Sequence, residues 1–253
     1  GVDKTSGIQL LTNNFTLDAY KLLMDYKLIW TGYKNTIIRC VVGTALGVIL
    51  TALTAYPLSK KELPFNGVFT NFIMFTMMFS GGMIPSYLLV KDLHLLNSLW
   101  ALILPTLLGA YNIFIMRNFF RSIPVSLEEA ARMDGASWFY IWWKIIIPLA
   151  KPVLATITLW ILVGHWNSWF DATIYITDPE KTVMQVVLRR ISIENSAADM
   201  NAIMVRMQKG ANAATSKSVE MAMVVITILP MLVVYPFLQK YFVKGIMVGS
   251  IKG

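Results

Sequence analysis

The chain has 253 residues, is 56% hydrophobic and only 14% charged, and carries a net charge of +8. A water-soluble domain holds about 25% charged residues, so a single soluble fold is excluded, and so is intrinsic disorder, which needs low hydrophobicity and high charge. In so apolar a chain the excess of Lys and Arg reads as anchoring of loops at a membrane surface, ahead of nucleic-acid binding, because no basic cluster alternates with aromatics.

In chain order, residues 1–34 are polar and mixed, with Asp3, Lys4, Asp18, Lys21, Asp25 and Lys27. They hold no signal peptide and no apolar run before Ile37, and residues 1–35 read as an aqueous segment leading into a first span. Stretches free of Asp, Glu, Lys and Arg follow at 40–59, 63–90, 93–116, 152–170 and 221–239. A helix needs about 20 mostly apolar residues to cross the hydrocarbon core. The runs are continuous and do not alternate in and out over about ten residues, so five membrane helices are predicted, not a barrel. Gly81-Gly82 and Pro85 interrupt the second run, Pro105 the third, and Pro230 and Pro236 the fifth. Kinks around a pathway and ordinary packing kinks both fit these breakers. Lys60 and Lys61 on one side against Lys91 on the other is too slight a contrast to set the orientation.

Between the third and fourth runs lies the most informative stretch, residues 122–152. Ser126 followed by Glu129 predicts a capping box, and Glu128 and Glu129 suit the positive end of a helix dipole. Leu127, Ala130, Ala131 and Asp134 share one face. Gly135 is placed to end the helix with a positive φ. The aromatic segment Trp138 to Ile147 suits the membrane interface, and Pro148 and Pro152 turn the chain into the next span.

Glu129-Ala130-Ala131, then Gly135, then Ile145 and Pro148 resemble the coupling signature of ABC importer permeases, with Ile147 where the family has leucine. Thr54-Ala55-Tyr56-Pro57-Leu58-Ser59-Lys60, Phe79-Ser80-Gly81-Gly82-Met83-Ile84-Pro85, Gly164-His165-Trp166-Asn167 and Tyr241-Phe242-Val243-Lys244-Gly245 extend the likeness along the chain. The sequence is similar to the MalG-like permease subunits of bacterial carbohydrate importers, of the LplC/YtcP type. That resemblance implies an all-α membrane protein, a type I importer transmembrane domain over 1–253 that normally has six spans; the first is expected to be missing from the five visible here. It implies a multi-pass protein of the bacterial cytoplasmic membrane, with 117–152 and the tail 244–253 cytoplasmic and 171–218 external. Glu128, Glu129, Ala130, Ala131, Asp134, Gly135, Ile145 and Pro148 would couple to an ATPase. The implied partners are a MalF-like second permease subunit, an ATPase dimer that carries ATP and Mg, an extracellular solute-binding protein and a carbohydrate. The tail would reach into the ATPase dimer, and Gly210, Ala211, Asn212 and Ala213 would enter the binding protein's cleft.

The chemistry available to the chain itself is sparse. One cysteine, Cys40, excludes a disulfide scaffold or a cysteine zinc site, and two histidines, His94 and His165, leave little room for a metal. No Gly-x4-Gly-Lys-Ser/Thr loop occurs, so the chain is expected to bind no nucleotide or other cofactor and to catalyse nothing. An ion-coupled secondary transporter would place charges within the membrane, and the five runs contain none. His165 and Asp171 lack a nucleophile with a supporting motif, which argues against a membrane hydrolase. The remaining alternatives are a permease for a non-sugar solute and, behind it, an ion-coupled secondary transporter.

Trp160, Trp166, Asn167, Trp169, Phe170 and Tyr175 mark a substrate path if their faces stack on sugar rings, or an interfacial aromatic belt if they do not. Lys181, Arg189, Arg190, Arg206, Lys209 and Lys217 suit an acidic sugar or an acidic protein surface equally. Met200, Ile203, Met204 and Met207 predict a short amphipathic helix within 171–218.

Overall fold

The computed structural model describes residues 17–192 and 216–250, and every regular element among them is helical. The amphipathic segment at Met200–Met207 and the tip at Gly210–Ala213 lie outside the described residues. The chain forms two compact units, one from Gly1–Ile37 and Asn167–Val233 and the other from Ile38–Trp166 and Val234–Gly253.

The first unit contains α1 (Asp18–Met24), the start of α2 (Lys27–Ser59), α11 (Phe170–Tyr175), α12 (Met184–Ser192) and the first half of α13 (Ser216–Ser250), up to Val233. Leu23, Ile29, Met184, Val187, Ile191 and Met223 form its buried core. Gly32 lets two backbones meet there, because a Cβ on it would stand 3.2 Å from the Met184 Cα. Thr36 Oγ1 accepts the Met184 N–H at 2.9 Å, so a side chain of α2 satisfies an open donor at the start of α12. Asn35 donates to the carbonyls of Glu180 (2.9 Å) and Thr182 (2.8 Å) and fixes the turn before α12.

The second unit holds the rest of α2, α3 (Asn66–Met78), α4 (Met83–Asp92), α5 (Trp100–Ile103), α6 (Ala110–Ser122), α7 (Ser126–Met133), α8 (Trp138–Ile141), α9 (Ile147–Leu149) and α10 (Lys151–Asn167) up to Trp166. A 3₁₀ turn, Leu104–Thr106, extends α5, and a π-turn, Trp142–Ile146, joins α8 to α9. In a bilayer, helices associate through packing and not through a hydrophobic drive, so small residues mark the close approaches. Gly43 and Gly47, four apart on α2, show this. A Cβ on Gly43 would lie 2.9 Å from Cδ2 of His165, and one on Gly47 would lie 3.3 Å from Ile161 Cδ1 of α10. Ala52, Ala55, Met116, Phe120, Ile141, Ile146 and Ile157 continue the packed core.

Three of the five predicted spans are bent helix pairs. By length and composition, α2 and Lys217–Pro236 of α13 can each cross a membrane unbroken. The other three candidates bend by 111° between α3 and α4, 51° between Trp100–Thr106 and α6, and 81° between Trp138–Leu149 and α10. At the sharpest bend Phe79 is extended (φ −113°, ψ 124°) and Gly82 has φ +88°, a conformation that glycine adopts without a Cβ penalty. Pro230 and Pro236 both lie inside the single helix α13, which continues through 244–250, the first part of the expected tail.

One sequence expectation is corrected here. The charge-free run 40–59 is only the second half of α2, which begins at Lys27. Arg39, which lies between the segment 1–35 and the run 40–59, is therefore inside the candidate span α2 and 1% exposed. Its Nε donates to His165 Nδ1 at 3.3 Å and its Nη2 to the Leu102 carbonyl at 3.3 Å. Helix periodicity through Ile29, Gly32, Thr36 and Cys40, all buried, is the signal that extends α2 back past Arg39.

Candidate functional site

Helix α7 is built from its ends inward. Ser126 is already helical, and Val125 (φ −62°, ψ −30°) precedes it with no side-chain cap bond, so the predicted capping box does not form. The carbonyls of Pro124 and Val125 instead accept the first N–H groups, from Leu127 at 3.3 Å, Glu128 at 2.9 Å and Glu129 at 3.0 Å. Helical geometry at Val125 starts the helix one residue too early for Ser126 to act as the cap.

The C-terminal end is as predicted. Gly135 has φ +80°. Its N–H reaches the Arg132 carbonyl at 2.9 Å, and the Ala136 N–H reaches the Ala131 carbonyl at 2.9 Å. This pair of bonds is a Schellman motif. A Cβ at Gly135 would meet nothing within 4 Å, so conformation, not space, requires the glycine.

Neighbouring glutamates on α7 differ in burial. Glu128 is 5% exposed and forms an ion pair with Lys60, while Tyr56 Oη donates to its Oε2 at 3.4 Å. Lys60 also lies 4.6 Å from the Tyr56 ring centroid, and Tyr56 meets Phe120 edge-on at 6.0 Å. Glu129, Ala130 and Asp134 are exposed, together with Leu127 and Met133, whereas Ala131 packs on the core. A polar crevice of about 340 Å³ opens on the side of α7 that bears Glu128, Glu129 and Arg132, and is lined also by Lys60, Arg121 and Val125. Arg132 stacks over Trp138 at 4.6 Å. Ile145 packs on the core and Pro148 is exposed. The eight signature residues thus divide into an inner set that holds α7 and an outer set that presents it.

The aromatic candidates also divide. In the second unit Trp160 is 40% exposed and lies 5.8 Å from the Tyr111 ring, whereas Trp166 is buried at 6% and presents no face for stacking. In the first unit Asn167 and Phe170 are exposed and Trp169 and Tyr175 are half-buried. Arg189 lies 3.8 Å from the Trp169 ring centroid, a cation–π contact that sequence spacing did not reveal. Asp171 accepts from Ser168 Oγ and from the Ala172 N–H, both at 2.8 Å. No group of three or more His, Cys, Asp or Glu suited to a metal occurs among the described residues.

The pairing of Lys60 with Glu128 was not foreseen, although both residues lie in segments that carry the resemblance. The available signal was a lysine closing the first apolar run and a second glutamate beside the signature one.

Comparison with known proteins places these features in context. Residues 43–248 match the family described as binding-protein-dependent transport system inner membrane component. The chain is 42% identical over 244 residues to the polygalacturonan/rhamnogalacturonan transport system permease protein YtcP of Bacillus subtilis (strain 168), covering 96% of this chain and 84% of that protein. It is 42% identical over 245 residues to protein LplC of the same organism, covering 96% and 81%. A crystal structure of a bacterial ABC transporter involved in the import of the acidic polysaccharide alginate contains a chain with a TM-score of 0.86 and 39% identity, covering 94% of this chain and 84% of that one.

Proposed function

The chain belongs to the family of binding-protein-dependent transport system inner membrane components, and from that membership we propose that it is the membrane-spanning subunit of an importer for acidic oligosaccharides. It is an ABC transporter permease of the type I fold. Import needs a MalF-like second permease subunit to complete the pathway and an extracellular solute-binding protein to deliver the sugar. A pair of ATPase subunits holds ATP and Mg, and the chain itself binds no nucleotide. Residues 117–152 and the C-terminus face the cytoplasm, and the segment ahead of α2 and residues 171–218 face outward.

The observation that carries this reading is the split on α7. Glu128 and Ala131 anchor it, while Leu127, Glu129, Ala130 and Asp134 stand exposed, with Glu129 lining a polar crevice. Small and acidic groups ending at a fixed glycine stop offer an ATPase surface a close and oriented seat. ATP-dependent closure of the ATPases favours one of two permease states, and the difference in contact between those states moves the site from one side to the other.

Two lines support an acidic substrate. The relatives at about 40% identity that are named for a polysaccharide carry acidic ones, whereas those named for neutral oligosaccharides are 24–30% identical, and the Arg189 guanidinium lies on the Trp169 ring beside Arg190. A guanidinium pairs with a sugar carboxylate through charge-assisted hydrogen bonds. The test is uptake into proteoliposomes that contain the whole complex, comparing labelled oligogalacturonate with a neutral oligosaccharide of equal length. Uptake of the acidic sugar alone is expected. Import of the neutral sugar alone would refute the acidic reading, and import of neither, with a non-sugar solute carried instead, would refute the carbohydrate reading.

A further inference from the structure

We propose that the buried Lys60–Glu128 ion pair is the strut that passes movement of α7 into α2, so that Glu128 is a positioning residue with a task separate from that of Glu129. The inference rests on the reading of α7 as the ATPase seat.

Glu128 and Lys60 have side chains only 6% and 19% exposed. Removing one partner from such a pair leaves a charge buried without compensation, so the two move together or not at all. Tyr56 braces the pair from α2 by its hydroxyl bond to Glu128 and by its ring beneath the ammonium.

The lysine end is itself tied down. Its backbone N–H reaches the Pro57 carbonyl at 3.0 Å, and Asn66 of α3 donates to the carbonyls of Leu58 (3.1 Å) and Lys60 (2.6 Å). Arg117 of α6 donates to the Leu58 carbonyl at 2.8 Å and to Asn66 Oδ1 at 3.3 Å. The Leu58 carbonyl at the end of α2 and the Lys60 carbonyl just beyond it are thus held by side chains of other helices, which fixes that helix end. A displacement of α7 that drags Glu128 therefore pulls on a knot where α2, α3 and α6 meet. Glu129, one residue on, is exposed, and among the described residues no ion pair or hydrogen bond ties its side chain to that knot.

The experiment uses the complete reconstituted importer and reads sugar imported per ATP hydrolysed. Three permease variants are compared: Glu128→Gln, the charge swap Lys60→Glu with Glu128→Lys, and the apolar pair Lys60→Met with Glu128→Leu. Apolar replacement of a buried ion pair is often neutral for folding, so this last variant separates stability from coupling. A cysteine at Ala130, crosslinked to the ATPase, reports in every complex whether α7 is seated. We expect the crosslink to persist, the sugar-to-ATP ratio to fall about tenfold in the apolar pair and in Glu128→Gln, and the swap to recover most of it. An apolar pair that couples as well as the parent, or a swap that couples as poorly as the apolar pair, would overturn the strut. A missing crosslink in the parent complex would instead overturn the seating of α7 on which the inference rests.

Discussion

Glu128 and Glu129 are adjacent in sequence and opposite in environment, and the contrast gives a residue-scale expectation. An exposed surface substitution usually changes stability by no more than about 0.5 kcal/mol, whereas removing one member of a buried pair costs about 3 kcal/mol or more. Glu128→Ala should therefore lower the thermal midpoint of the detergent-solubilised protein clearly, while Glu129→Ala leaves it near the parent value. Equal midpoints for the two variants would contradict the inward placement of Glu128. The residue scale is also where sequence reading reached least far. Arg39 pairs with His165 and with the Leu102 carbonyl, 126 and 63 positions away, and no local pattern encodes partners at such separations. Lys60 and Glu128 are 68 positions apart and were hidden for the same reason.

Elements set by local backbone chemistry were legible. The positive φ at Gly135 follows from a glycine placed just after a short periodic segment, and the bend at Gly81-Gly82 follows from two residues that leave φ unrestricted. The capping box failed because Ser126 needed non-helical φ/ψ, and the backbone at Val125 was already helical. The Schellman stop yields the element-scale expectation. Proline cannot take φ near +80° and lacks the N–H that reaches the Arg132 carbonyl, so Gly135→Pro should disorder the end of α7. Alanine keeps that N–H but pays about 1–2 kcal/mol for the left-handed conformation. In reconstituted complex, Gly135→Ala should retain partial coupling and Gly135→Pro should lose it while still inserting in the membrane. Binding-protein-stimulated ATPase and uptake, measured side by side, check this; full coupling with proline at 135 would contradict it.

At the scale of the whole molecule, composition alone placed the chain in a membrane, and the exposed apolar side chains agree with that solvent. On α3 alone Phe69, Phe72, Phe75 and Met78 are each at least half exposed, a surface that water would penalise and that lipid or a partner subunit accepts. The five charge-free runs agree with the up to five spans that length and composition allow among the described residues when each bent pair counts as one, because charge is expensive in hydrocarbon wherever it is not paired. The glycines and prolines marked where a helix could break, but the bend angles of 111°, 51° and 81° were not readable, since ordinary packing kinks use the same residues. The rejection of an ion-coupled carrier is also altered in its grounds. A buried Arg39 within α2 removes the premise that the spans are free of charge, and what now favours an ATP-driven importer is family membership together with the presented face of α7. The decisive measurement is uptake of labelled oligogalacturonate by proteoliposomes containing both permease subunits, the ATPase pair and the binding protein, with ATP supplied on the side of α7. Uptake should require ATP and binding protein together, and should stop with the permease variant Glu129→Lys although the complex is still inserted. Uptake that continues without ATP hydrolysis, or that follows an imposed ion gradient instead, would contradict the account.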